Sequence, residues 1–125
     1  MSGGRILVID ADPLNRKLLR ALLTLGEYEV VEYPDAEAGI RYARQSPPDC
    51  ILMELRLPGM DGLDATRLIK ADQSLKAVPV IAVTSLAMKG DERKALDAGC
   101  DGYITKPIDT RTFLDNIRHF LARTR

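Results

Sequence analysis

No run of apolar residues in this chain approaches the ~18 that a membrane-crossing helix needs, so no span is expected. Charge of one sign is missing as well, since 18 Lys and Arg balance 18 Asp and Glu. A neutral chain carries no electrostatic footprint for a nucleic-acid backbone, so direct nucleic-acid binding is not expected. The opening residues, Met-Ser-Gly-Gly-Arg5, lack the apolar core of a signal peptide. Cysteine is scarce, and Cys50 and Cys100 are not in metal-ligand spacing. They read as free, buried thiols of a cytoplasmic chain. Internal repeats, low-complexity tracts and linkers are absent. So are a glycine-rich phosphate loop, a GxGxxG after the first apolar run and a nucleophile elbow. Those absences disfavour nucleotide binding and hydrolase chemistry, and no enzyme activity is expected.

What is there is an ordinary globular composition, 46% hydrophobic and 29% charged over 125 residues. That length fits one domain (residues 1–125, core about 5–122) able to bury a real core. The apolar run Arg5–Ile9 predicts a strand buried on both faces. Asp12 then offers an N-cap with Pro13 at the first helical position. Leu14, Leu18, Leu22 and Leu25 follow at helical spacing, and Gly26 closes the helix. Tyr28–Tyr33 predicts a second strand, and Pro34-Asp35 a second helix burying Ala36, Ile40 and Ala43. Cys50–Glu54 predicts a third strand, broken by a loop with Pro58, Gly59 and Gly62. Leu63–Ala71 reads as the third helix, and Val78–Val83 as a fourth strand beginning near Pro79. A weak helix over Lys89–Ala98 precedes a short strand at Gly102–Thr105. Asp109 is read as the cap of a last helix with Phe113, Ile117, Phe120 and Leu121 on one stripe.

Five strands alternating with five helices predict a parallel sheet with helices on both faces and right-handed crossovers. All strands then point one way, and the residues that follow them share an edge. Asp10, Glu54, Thr84 and Lys106 are thereby gathered. Ligand crevices of open α/β sheets lie at that edge. Two acids, a hydroxyl and a lysine there can serve a divalent metal or a phosphoryl group. Asp10 has a second reading, as a cap or as a plain ion-pair partner of Lys106.

The pieces Ile6–Asn15, Leu52–Gly62, Val83-Thr84-Ser85 and Ala98–Pro107 together resemble the receiver domain of two-component response regulators. The resemblance runs from about Ile6 to Leu121. It implies a flavodoxin-like (CheY-like) α/β fold with strand order 2-1-3-4-5. It also implies a module that accepts a phosphoryl group from a sensor histidine kinase or phosphotransfer protein. Glu54 falls at the phosphoacceptor position, an aspartate in the family, and Thr84 and Lys106 at the positions that contact phosphoryl oxygens. Asp10, Glu54 and the Arg56 backbone carbonyl fall at the Mg²⁺ ligand positions, with Ala11 where the second acid of the metal pair belongs. Tyr103 matches the switch aromatic that works with Thr84, and is equally read as a plain rim aromatic. The resemblance also implies a cis Lys106-Pro107 bond. Output to an effector or output domain is implied through the fourth-helix, fifth-strand and fifth-helix face, including Lys89, Tyr103 and Phe113.

Ala11 and Glu54 depart from that pattern. Loss of a charged ligand weakens Mg²⁺, which demands near-octahedral oxygen ligation. The extra methylene of Glu54 disturbs in-line geometry but brings one negative charge nearer Thr84 and Lys106, as a phosphoryl arm would. The expectation is a receiver deficient in phosphorylation or held in an active-like state. The alternatives are a working Mg²⁺-dependent phosphoacceptor, a phosphorylation-independent interaction module, or an unrelated enzyme or nucleotide binder of the same fold.

Overall fold

The computed structural model describes residues 4–124. In chain order the elements are β1 (Arg5–Ile9), α1 (Pro13–Leu25), β2 (Glu29–Tyr33), α2 (Ala36–Gln45) and β3 (Cys50–Met53), then α3 (Gly62–Ala71), β4 (Val80–Thr84), α4 (Asp91–Ala98), β5 (Gly102–Thr105) and α5 (Phe113–Thr124). The strands form one parallel sheet ordered β2-β1-β3-β4-β5. This is the expected flavodoxin-like architecture.

Alternation along the central strands divides the core in two. Leu7 and Ile9 of β1, with Ile51 and Met53 of β3, face the layer of α2, α3 and α4. Ile6 and Val8, with Cys50 and Leu52, face the layer of α1 and α5. Both sheet faces are covered, which is why these strands read as unbroken apolar runs. Each fully buried Leu or Ile contributes about 1.5–3 kcal/mol. Cys50 and Cys100 are buried in opposite layers and are free, as expected.

Local signals set most helix starts. Asp12 caps α1 by accepting from Leu14 N, with Pro13 in the first turn. Asp35 caps α2 through Ala38 N, and Asp61 caps α3 through Asp64 N. α4 has only Gly90 at its N-cap position and no side-chain cap. It begins at Asp91, two residues later than the sequence pattern indicated. β4 likewise begins at Val80, after Pro79, which has no N–H for the ladder.

The structure sharpens two expectations and corrects a third. The inward stripe of α1 is Leu19 and Leu23, whereas Leu14 and Leu25 are each 76% exposed. α1 carries apolar residues on two faces, and spacing alone does not say which one meets the sheet. Gly26 closes α1 as expected, at the C-cap, but not through a left-handed backbone. It sits at φ −81, and Glu27 takes the positive φ of 69. A Cβ on Gly26 would lie 2.7 Å from Leu114 Cδ2, a side-chain tip that would have to move aside. Asp109 caps a turn rather than a helix. Its carboxylate accepts from Arg111 N, and α5 starts only at Phe113.

Candidate functional site at the strand tips

Backbone hydrogen bonds run one residue past the strands and place the site. Glu54 N donates to Ile9 O at 2.9 Å, which sets Glu54 beside Asp10. Asp10 N donates to Tyr33 O, and Lys106 N donates to Thr84 O. The Lys106-Pro107 peptide that follows β5 is cis, as the resemblance implied.

At the centre Lys106 Nζ bridges two acids, 2.7 Å from Glu54 Oε1 and 2.9 Å from Asp10 Oδ2. Asp10 is 3% exposed and Glu54 6%. Burial alone lowers the pKa of the Lys106 ammonium. The hydrogen bonds and charges of Glu54 and Asp10 outweigh burial, and the net shift is upward. The remaining oxygens of the two acids are also taken. Glu54 Oε2 accepts from Leu55 N at 2.6 Å and Arg56 N at 3.1 Å. Asp10 Oδ1 accepts from Asp12 N at 2.9 Å, and Oδ2 also accepts from Asn15 Nδ2 at 2.7 Å. The cluster holds two carboxylates and one ammonium, every oxygen engaged by a donor.

That donor set does not fit Mg²⁺. The ion needs near-octahedral oxygens at ~2.0–2.1 Å, and here the two carboxylates are spanned by an ammonium instead. Ala11 is exposed and offers no side-chain oxygen. Asp12 does not stand in for it, because its carboxylate caps α1. Among the described residues no group of three or more His, Cys, Asp and Glu could hold a metal.

Thr84 and Tyr103 meet at a residue that sequence reasoning missed. Thr84 Oγ1 accepts from Leu86 N at 3.2 Å, and the Tyr103 hydroxyl donates to Leu86 O. Leu86 thus fastens the β4–α4 loop to β5. Thr84 is fully buried and reaches the lysine only through the backbone bond Lys106 N to Thr84 O. Desolvation, with Asp91, Glu92 and Glu54 nearby, raises the Tyr103 pKa. Asn15 and Arg16 were missed too. Besides the Asn15 contact, Arg16 Nη1 donates to Asp10 O at 2.7 Å. The only hint in the sequence was a polar and a basic residue one turn into a leucine-rich helix. Phe113, expected on the output face, is 1% exposed and belongs to the core. Lys89 is exposed and Tyr103 half-buried. His119 is an exposed helix residue.

The sequence profile of the response regulator receiver domain matches residues 6–118. The chain belongs to that family. As a receiver it is 39% identical over 117 residues to the polar-differentiation response regulator DivK of Brucella ovis, covering 94% of this chain and 95% of that protein. Among solved structures it is similar to the receiver domain of sensor histidine kinase PA1611 from Pseudomonas aeruginosa PAO1, which has a magnesium ion coordinated in its active-site cleft. That match has 33% identity and a TM-score of 0.88, covering 97% of this chain and 99% of that one. A LuxR-family two-component response regulator from Aurantimonas is 34% identical with a TM-score of 0.89, covering 99% of this receiver and 89% of that chain.

Proposed function

We propose that this receiver takes up no phosphoryl group at residue 54 and signals as a phosphorylation-independent interaction module. One observation carries the reading. Both carboxylate oxygens of Glu54 are engaged, one by Lys106 and the other by the N–H groups of Leu55 and Arg56. A carboxylate so held has three of its roughly four lone-pair sites taken, and the charge of its lysine is already balanced. The lysine arm of a phosphoryl-like contact is thereby made without phosphate. The Thr84 hydroxyl, bonded to Leu86 N, does not join it. The side chain therefore imitates half of an acyl phosphate. Mg²⁺ binds weakly or not at all, given Ala11 and the engaged acids. The module catalyses no reaction.

Its partners on this reading are a sensor histidine kinase or phosphotransfer protein and a downstream effector or output domain in the cytoplasm. Likeness to a response regulator and to a kinase's own receiver domain supports that setting. The contact face joins α4, β5 and α5 through Lys89 and Tyr103. Nucleic acid is no direct partner, in keeping with the balance of 18 basic and 18 acidic residues. No helix among the described residues is long and apolar enough to cross a membrane.

The test is incubation with a small-molecule phosphodonor and Mg²⁺, followed by intact-mass analysis for acid-labile phosphate. An unchanged mass, and equal partner binding with and without donor, are expected. Stoichiometric phosphate on Glu54 overturns the proposal.

A further inference from the structure

A groove of about 370 Å³ lies between α2 and α3 and shares no residue with the Lys106 cluster. That volume is within the range of small-molecule sites. Its apolar lining comes from three places: Ile40 of α2, Met60 of the β3–α3 loop and Leu68 of α3. Ile40 is buried, Met60 half-buried and Leu68 43% exposed. One exposed leucine is ordinary on a protein surface. Here it walls a cavity whose rim is charged.

Arg41 and Arg44 line the same groove from α2, three residues apart and therefore neighbours on one helix face. Neither guanidinium is paired with the groove's one acid, Glu37. Arg44 donates through Nε to Asp72 at 2.8 Å, and Asp72 accepts in turn from the Ser74 N–H and hydroxyl. Those bonds hold the Asp72 carboxyl down at about 2, so the anchor stays ionised. Among the described residues the two Nη groups of Arg44 have no partner, and Arg41 has none at all. Glu37 lies one turn before Arg41, against the β3–α3 loop, with Oε2 3.1 Å from where a Cβ on Gly59 would stand. The groove thus has a cationic end, an apolar floor and a single acid at its other end.

We infer that the groove binds a small amphipathic monocarboxylate, its head between Arg41 and Arg44 and a short apolar body over Ile40, Met60 and Leu68. A guanidinium already anchored at Nε presents its other nitrogens in a fixed fork, and charge-assisted pairs are the stronger hydrogen bonds. Covering Leu68 and Met60 removes apolar surface from water. Glu37 repels a second negative charge, which selects a carboxylate over a doubly charged phosphate head. The groove is open to solvent on one side, so binding is weak.

Nitrogen-15 resolved spectra of the whole chain, titrated with hexanoate to about 20 mM at low salt, test the site. Saturable shifts confined to α2, Met60 and the turn of α3 around Leu68 are expected, with Kd on the order of a few millimolar. Acetate, the head alone, and hexanol, the body alone, are each expected to bind about fivefold more weakly or worse. Arg41→Gln and Arg44→Gln are each expected to raise Kd about fivefold or more. Both positions are exposed, and unchanged amide shifts elsewhere verify that the variants fold. Four outcomes each overturn the inference: no saturable shift over that range, shifts indifferent to both arginine variants, hexanol binding as well as hexanoate, or hexyl phosphate binding more tightly than hexanoate.

Discussion

Lys106 and Glu54 are joined through Nζ and Oε1 at 2.7 Å, across the tips of β5 and β3 and 52 residues apart in the chain. The same ammonium holds Asp10 at 2.9 Å. One cation therefore keeps two nearly buried carboxylates together. Removing it leaves them uncompensated, which is far worse than removing a surface ion pair.

Lys106→Met is accordingly expected to lower stability by about 2–4 kcal/mol, read by urea unfolding at neutral pH. The pH dependence follows in sign. The pKa of Lys106 is raised above the unfolded value of 10.5. Its contribution is therefore complete below about pH 10 and is lost as pH climbs through the folded pKa. Wild type should lose stability across that alkaline window faster than Lys106→Met. Parallel curves would contradict the bridge.

Restoring the two acids of the family pattern should restore the chemistry. Ala11→Asp supplies a metal ligand, and Glu54→Asp withdraws the carboxylate by one methylene from the Lys106 clasp. The double variant is expected to incorporate phosphate in a Mg²⁺-dependent manner from a small-molecule donor. If it stays inert, the block lies outside positions 11 and 54.

Gly62 supports the site from behind. A Cβ there would lie 2.4 Å from Glu54 O and 2.6 Å from Leu55 Cα, both backbone atoms with no side-chain freedom to yield. Gly62→Ala is expected to cost about 1–3 kcal/mol and to shift the amide resonances of Glu54 and Leu55. An alanine accepted with neither effect would show that the β3–α3 loop can retreat.

The two stripes of α1 should differ sharply in stability. Leu19→Ala empties a core position and is expected to cost about 2–5 kcal/mol. Leu14→Ala, measured at low micromolar concentration, should stay within about 0.5 kcal/mol of wild type. The reverse order would show that the Leu14 face, and not the Leu19 face, packs on the sheet.

Both thiols should be silent in the native state. Burial, aided by the charges of Asp101 and Asp49, pushes Cys50 up to about 12. Burial likewise raises Cys100, whose Sγ lies 3.7 Å from Thr66 Oγ1. A chromogenic disulfide reagent is expected to react with neither at pH 8, and with both once the chain is unfolded. Rapid native-state labelling of either would contradict the packing.

Much of this receiver is legible in its sequence because the deciding forces are local. Buried parallel strands need unbroken apolar runs, and Arg5–Ile9 and Cys50–Met53 are such runs. Helix starts need an acceptor for free N–H groups, and Asp12 and Asp35 supply one. Parallel topology then forces Asp10, Glu54, Thr84 and Lys106 to one edge, so the address of the site follows from order alone. What the residues do there was decided by distances between elements remote in the chain. Only the folded sheet brings the Lys106 ammonium within reach of both acids. The same holds for Asn15 on Asp10, and for Leu86 between Thr84 and Tyr103. The α1 leucines mark the limit most clearly. Helical periodicity places residues on a common face, but only the docking of that helix on the sheet decides which face loses water. It chose Leu19 and Leu23, and left Leu14, Leu18 and Leu25 facing outward.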